Sequence, residues 1–147
     1  MFEALEDLLL KQIFLGLERT LAGGSEGPRM RETPSAEVLR FITCVGETLT
    51  RPNPLLEAAA RLGMSYDSLR HRFKRETGLS PKRFLLELRI QRAKQLLLIS
   101  RLSVKEIAAT VGFSDAHHFS RCFTERMGLS PLHWRRHPRL CSYPPSA

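Results

Sequence analysis

The chain has 147 residues, a formal net charge of +8 and 26% charged residues, which suits one or two small domains with a modest core. No apolar run approaches the ~20 residues that cross a bilayer, and the N-terminus is acidic where a signal peptide is basic. The three cysteines form no CxxC pair, so a disulfide framework or structural zinc site is not expected and a cytoplasmic location is predicted.

Charge is distributed unevenly along the chain. Residues 1–34 carry 4 basic and 6 acidic side chains, whereas residues 35–147 carry 19 basic and 9 acidic ones, a net charge of +10. A basic body of this size is typical of proteins that bind a polyanion, most often nucleic acid. The alternative is a solvated surface with an excess of Lys and Arg.

Residues 1–21 predict an apolar helix. Large apolar side chains recur every three or four residues, at Phe2, Leu5, Leu9, Ile13, Leu17 and Leu21. Further leucines widen this stripe beyond one face, so the helix needs a partner, either another chain or another domain. Residues 22–34, rich in glycine and charge, predict a flexible linker.

The rest of the chain predicts a series of helices and no strand. Helix-start signals stand at Thr33-Pro34, Asn53-Pro54, Ser65, Ser80-Pro81, Ser103, Ser114 and Ser130-Pro131. Ser103 with Glu106 also has the spacing of a capping box. We therefore expect an all-α body, followed by a disordered tail over residues 138–147.

The tetrapeptide GLSP occurs twice, at Gly78–Pro81 and Gly128–Pro131. In each copy glycine is expected to end one helix with a left-handed backbone, and the Ser-Pro pair to cap and open the next. The side chains of Leu79 and Leu129 are expected to be buried and so to anchor the two turns to the core.

The repetition extends upstream of GLSP. Glu57, Ala59, Gly63 and Ser65 match Glu106, Ala108, Gly112 and Ser114, and after one extra residue Leu69 and Phe73 match Phe119 and Phe123. Each copy predicts a short helix, a glycine turn and a second helix, which is the helix-turn-helix pattern. The first copy covers about residues 54–77 and the second about 103–127.

The second helix of each copy has an apolar face for the core and a polar face for the major groove of DNA. The apolar faces hold Leu69 and Phe73 in the first copy, and Phe119, Phe123 and Met127 in the second. The predicted DNA-binding residues are Tyr66, Asp67, Arg70, His71 and Lys74, then His117, His118, Ser120, Arg121 and Thr124. Arg72, Arg75, Lys82 and Arg83 are predicted to position the protein on phosphates.

These residue types suit groove reading. Arginine offers guanine a bidentate pair of donors, and histidine can donate to a base or a phosphate. Asp67 would repel phosphate, so its expected role is to accept from a cytosine amino group or to orient Arg70. For any one of these side chains the alternative is a solvated helix face.

Between the two copies, residues 81–99 predict a single long helix, with a core stripe of Leu86, Ile90, Ala93 and Leu97. At ~1.5 Å per residue it spans roughly 28 Å, against ~34 Å for one turn of B-DNA. A rigid linker of this length predicts that two reading helices enter successive major grooves.

Residues 35–137 resemble the DNA-binding domain of AraC/XylS-type bacterial transcriptional regulators. The resemblance rests on AAARLGMSYDSLRHRFKRETGLSPKRFL, on RIQRAKQLL and above all on SVKEIAATVGFSDAHHFSRCFTERMGLSPLHWRR. It implies seven helices, two homeodomain-like helix-turn-helix units and a linker helix. It also implies contact with promoter DNA near RNA polymerase, in the bacterial cytoplasm with the nucleoid, without cofactor or catalysis.

Two departures from the family pattern stand out. Most members carry an N-terminal sensor and dimerisation domain, of which residues 1–21 resemble only the end; a homodimer through residues 2–21 is expected on that basis. Cys122 and Thr124 also stand where the family often has an aliphatic residue and Lys, which implies weaker phosphate contact there.

Other functions remain open from the sequence. RNA binding would need exposed aromatic side chains, and only Tyr66 is a candidate. His118 and Cys122 have the spacing to share a metal, but no third ligand is evident. The main alternative is a regulator that titrates other transcription factors through the N-terminal helix.

Overall fold

In the computed structural model, residues 34–137 are described, and they form seven α-helices without a strand in that range. The helices are α1 (Ala36–Glu47), α2 (Pro54–Arg61), α3 (Tyr66–Thr77), α4 (Pro81–Ile99), α5 (Val104–Thr110), α6 (Ala116–Met127) and α7 (Pro131–Arg136). The predicted all-α fold, with two helix-turn-helix units joined by a long helix, is confirmed. The expectations for the N-terminal helix, the linker up to residue 33 and the tail lie outside the described residues.

The described chain divides into two compact units. The first holds residues 34–48 and Asn53–Leu88, and the second holds Leu49–Pro52 and residues 89–137. Helix α4 therefore contributes its first half to one core and its second half to the other. This explains why its buried side chains lie all around the helix: Phe84, Leu85, Leu88, Ile90, Ala93 and Leu97.

The core of the first unit is built around three phenylalanines. Phe73 of α3 lies edge-on to Phe41 of α1, with ring centroids 5.6 Å apart, and 5.3 Å from the ring of Phe84. Phe41 and Phe73 are fully buried, and a buried side chain of this kind stabilises the fold by about 1.5–3 kcal/mol. Thr48 follows α1 directly, and its buried hydroxyl donates to the carbonyls of Cys44 and Pro54.

The first helix starts later than predicted. The Thr33-Pro34 expectation is wrong, because the N-cap is Ser35, whose hydroxyl accepts from the amide of Val38 and whose backbone is extended. The amide of Ser35 itself donates to Glu76 Oε2 of α3 at 2.8 Å. A tertiary hydrogen bond thus ties the start of α1 to α3.

The core of the second unit is a chain of aromatic rings. Phe113, Phe119, Phe123 and Trp134 follow one another with centroid separations of 5.3, 5.7 and 6.0 Å. Phe119 and Phe123 are fully buried as predicted, whereas Met127 is only half-buried. These rings hold α6 by its apolar face, so the opposite face is directed to solvent.

Both GLSP segments separate helices as predicted. Gly78 and Gly128 have φ of 76° and 72°, and each amide donates to the carbonyl four residues back. The hydroxyls of Ser80 and Ser130 accept amides of the following helices, and Pro81 and Pro131 are the first helical residues. Leu79 and Leu129 are half-buried, so they cover the core from its edge and do not enter it fully.

Candidate nucleic-acid interface

The exposed face of α3 is defined by the residues on its other side. Leu69 and Phe73 have no exposed surface, and the hydroxyl of the N-cap Ser65 accepts the amide of Ser68. The helix is therefore anchored at its start and along its apolar face. The residues predicted to read DNA from the opposite face are all exposed: Asp67, Arg70, His71 and Lys74.

Three of these residues form a polar cluster. Arg70 Nη2 lies 3.0 Å from Asp67 Oδ1, and His71 Nε2 lies 3.7 Å from Asp67 Oδ2. Arg70 Nη2 is also 3.5 Å from His71 Nε2. The structure thus places Asp67 where it can orient Arg70, one of the two roles expected from the sequence.

Tyr66 precedes this cluster at the start of α3 and is half-buried. Burial raises the pKa of its phenol, and the positive charge of Arg70 lowers it in part. The net shift is upward, so the hydroxyl keeps its proton at neutral pH. A half-buried ring with a protonated hydroxyl suits one hydrogen bond at the edge of an interface better than stacking on an unpaired base.

In the second unit, α6 begins one residue later than predicted. The N-cap is Asp115 and not Ser114, because the carboxylate of Asp115 accepts two amides, from His117 at 2.9 Å and from His118 at 3.4 Å. The hydrogen bond from the His117 amide lowers the pKa of Asp115. The sequence offered Ser114 and Asp115 as adjacent capping residues, and the structure assigns the cap to the second.

The polar face of α6 differs in chemistry from that of α3. His117, His118, Arg121 and Thr124 are exposed, and Ser120 is half-buried. The ring of His118 lies edge-on to Phe113, with centroids 5.5 Å apart, and the hydroxyl of Thr124 donates to the carbonyl of Ser120. Arg121 is therefore the one exposed, permanently charged member of the predicted set on α6.

The predicted phosphate-contacting residues fall into two groups. Arg75, Lys82 and Arg83 are exposed, at the end of α3 and the start of α4. Arg72 is half-buried, and its Nη1 lies 3.6 Å from Glu37 of α1. Arg72 is therefore oriented by a partner within its own unit, and its contact with phosphate, like that of the other three, stays a prediction.

Three observations bear on the other kinds of protein considered from the sequence. Cys122 is buried, and burial together with the nearby charge of Glu125 raises the pKa of its thiol, which Arg121 lowers in part. Residues 34–137 contain no group of three or more His, Cys, Asp or Glu side chains that could hold a metal ion. Within the same range, no helix combines the length and apolar character needed to span a bilayer.

Comparison with known proteins defines the class. Residues 58–137 match the family model described as a helix-turn-helix domain. A curated relative, the HTH-type transcriptional activator RhaR of Cronobacter sakazakii, is 33% identical over 140 residues, which cover 91% of this chain and 48% of that protein. The chain spans about half the length of the curated relatives it matches.

Solved structures identify which type of helix-turn-helix domain the chain contains. A transcriptional regulator of Chromobacterium violaceum with an AraC-type DNA-binding domain has a TM-score of 0.65 and 27% identity, over 70% of this chain and 92% of that one. The DNA-binding domain of the global transcriptional factor AdpA, in complex with a target DNA, has a TM-score of 0.65 and 29% identity, over 72% and 96%. The chain belongs to the helix-turn-helix family, and its domain is an AraC-type DNA-binding domain of a transcription regulator.

The family assignment from the motifs is thereby confirmed. Contact between DNA and each of the predicted residues stays a prediction. The expected dimer and the titration of other factors both depend on residues 2–21, outside the described residues.

Proposed function

We propose that this chain is a bacterial transcription factor that binds specific double-stranded promoter sequences with α3 and α6. The observation that carries the proposal is the division of α3 into a fully buried apolar face and an exposed face of Asp67, Arg70, His71 and Lys74. The same division recurs on α6, where Phe119 and Phe123 are buried opposite Arg121. The similarity to the AdpA domain in complex with its target DNA supports double-stranded DNA as the ligand.

The exposed side chains support sequence reading in addition to general attraction. Arg70 and Arg121 each offer a planar set of donors that fits the O6 and N7 atoms of guanine in the major groove. Arg75, Lys82 and Arg83 add positive charge next to the reading face of the first unit, and Lys74 adds it at the end of that face. Such charge attracts phosphates of any sequence, whereas the arginine forks discriminate between bases.

Several finer features belong to this proposal. The two helices read successive major grooves, so the binding site consists of two short motifs about one helical turn apart. The protein acts next to RNA polymerase in the cytoplasm, associated with the nucleoid, and pairs with a second copy through residues 2–21. Its role is binding and not catalysis. The family and the exposed basic side chains of α3 and α6 support the role in DNA binding.

Selection of bound duplexes from a random pool by the full chain tests the proposal. We expect enrichment of two short motifs, and we expect Arg70→Ala and Arg121→Ala each to weaken specific relative to non-specific binding by about 1–3 kcal/mol. Arg40→Ala, which removes an exposed arginine of α1 that is not among the residues proposed to contact DNA, is the matched control. A pool without an enriched motif, or equal losses on all sequences, would contradict sequence-specific reading.

A further inference from the structure

Asp67 is an acidic residue on a face proposed to meet a polyanion. Its side chain is 74% exposed, and it lies in the first turn of α3, where a negative charge also stabilises the helix dipole. The dipole accounts for an acid at this position, but not for its pairing. Asp67 Oδ1 lies 3.0 Å from Arg70 Nη2, and Oδ2 lies 3.7 Å from His71 Nε2, so the carboxylate faces both neighbours.

The second unit shows that the fold does not require this acid. The repeat aligns Asp67 with His117 and Arg70 with Ser120, so α6 has no equivalent pair. The acid at the start of α6, the N-cap Asp115, has both carboxylate oxygens occupied by backbone amides. On α3 the N-cap is Ser65, which leaves Asp67 available for its side-chain partners.

We propose that Asp67 is a positioning residue that orients the guanidinium of Arg70 toward a guanine. This inference rests on the proposed function and adds a specificity determinant to it. A guanidinium has five N–H donors, so the contact from Nη2 to Asp67 leaves enough donors for a bidentate contact with guanine O6 and N7. Fixing the arginine in advance reduces the rotamer freedom that binding would otherwise remove.

The same carboxylate lowers affinity for DNA in general, because it repels phosphates. Asp67 therefore lowers the affinity for DNA of any sequence and raises the preference for one base. An unfavourable contact with phosphate in this way contributes to specificity. Removal of the carboxylate therefore changes general affinity and base preference in opposite directions. Loss of the acid raises binding to random sequence and lowers the preference for guanine at the base pair that Arg70 reads.

The test measures base preferences of full-chain variants on the random duplex pool by sequencing the bound fraction. The variants are Asp67→Asn, Asp67→Glu, Arg70→Ala and the double variant of Asp67→Asn with Arg70→Ala. Asp67→Asn is expected to reduce the preference at the base pair affected by Arg70→Ala by about 1.4- to fivefold, the range of an exposed ion pair. Asp67→Glu restores part of it, and Asp67→Asn has no effect on preference when Arg70 is already alanine.

Glu125→Gln is the matched control for charge, since Glu125 is an exposed acid on α6. It should raise general affinity without changing the preference at the base pair of Arg70. An unchanged preference in Asp67→Asn overturns the inference, as does a change at a different base pair that persists without Arg70. If the wild-type chain enriches no motif, the proposed function itself fails; if Arg70→Ala alters preference and Asp67→Asn does not, only the present inference fails.

Discussion

Gly63 and Gly112 occupy the same position in the two helix-turn-helix copies, and both have positive φ, at 64° and 93°. Their surroundings differ. A Cβ atom at Gly63 would meet nothing within 4 Å, whereas one at Gly112 would lie 2.8 Å from the carbonyl oxygen of Leu49 and 2.9 Å from Arg89 Nη2. Arg89 is held there by its own hydrogen bonds to the Leu49 carbonyl. Gly112 is thus required for its backbone conformation and for space.

Alanine at the two glycines should therefore have unequal effects. Gly63→Ala carries the conformational cost of a left-handed residue, about 1–2 kcal/mol. Gly112→Ala carries that cost and also displaces Arg89 from Leu49. The melting temperature of this variant should therefore fall further than that of Gly63→Ala. Thermal unfolding followed by helical circular dichroism compares the two variants with the wild type. Equal losses would mean that the Arg89–Leu49 contact adjusts without cost.

Glu76 links the end of α3 to the start of α1 and titrates in a predictable direction. Burial raises the pKa of its carboxyl, but hydrogen bonds from Ser35 and the charges of Arg72 and Arg75 outweigh that effect, so the pKa is lowered overall. A group whose pKa is lower in the folded state contributes stability above its unfolded pKa. That contribution is lost as the pH falls through the folded pKa.

Glu76→Gln should consequently flatten the acid side of the stability profile. At neutral pH we expect a loss of about 1 kcal/mol, because the amide oxygen still accepts from Ser35 but without charge assistance. Unfolding by urea between pH 7 and pH 3 measures this, with Glu125→Gln as an exposed control. If both variants show the same slope against pH as the wild type, Glu76 is not the linked group.

At the scale of the element, the start of each helix decides which side chains face outward. The capping box of Ser103 and Glu106 was predictable, since both partners lie within one turn, and both of its hydrogen bonds are present. The start of α1 was ambiguous, because Thr33 and Ser35 are both capping residues, and the hydrogen bond from the Ser35 amide to Glu76, 41 residues away, leaves no signal in the local pattern. The start of α6 was ambiguous, because Ser114 and Asp115 are both good capping residues and local pattern does not choose between them.

Substitution of the two adjacent residues before α6 distinguishes their roles. Asp115→Ala removes the acceptor for the amides of His117 and His118, so we expect a lower melting temperature and fraying of the first turn of α6. Asp115→Asn keeps a good cap and should retain most of the stability. Ser114→Ala should leave the melting temperature close to that of the wild type; a larger effect than that of Asp115→Ala would reverse the assignment of the cap.

At the scale of the molecule, two copies of one pattern carry different chemistry. Glu57 and Glu106 are equivalent in sequence, yet Glu57 pairs with Arg61 while Glu106 closes a capping box. The sequence was sufficient for the fold and for the outward faces of α3 and α6, since periodicity and glycine turns report both. It did not reveal the pairing of Arg72 with Glu37, because side chains 35 residues apart leave no periodic signal.

The excess of positive charge over residues 35–147 makes a prediction for the whole chain in salt. Each phosphate neutralised by a Lys or Arg contributes about −0.9 to the slope of log affinity against log salt concentration. Arg75→Ala and Lys82→Ala should each reduce the slope by about one while leaving base preference unchanged. Arg72→Ala should reduce it less, since Glu37 already holds that guanidinium.

Arg40→Ala provides the control, because it removes one exposed positive charge of the same unit that is not among the proposed DNA contacts. Its slope should match that of the wild type when binding of a selected duplex is titrated across salt concentrations by fluorescence anisotropy. A partner bound mainly through the apolar residues 2–21 would give an affinity nearly independent of salt, because burial of apolar surface releases no counterions. Such a flat profile for the full chain would favour titration of other proteins over reading of DNA.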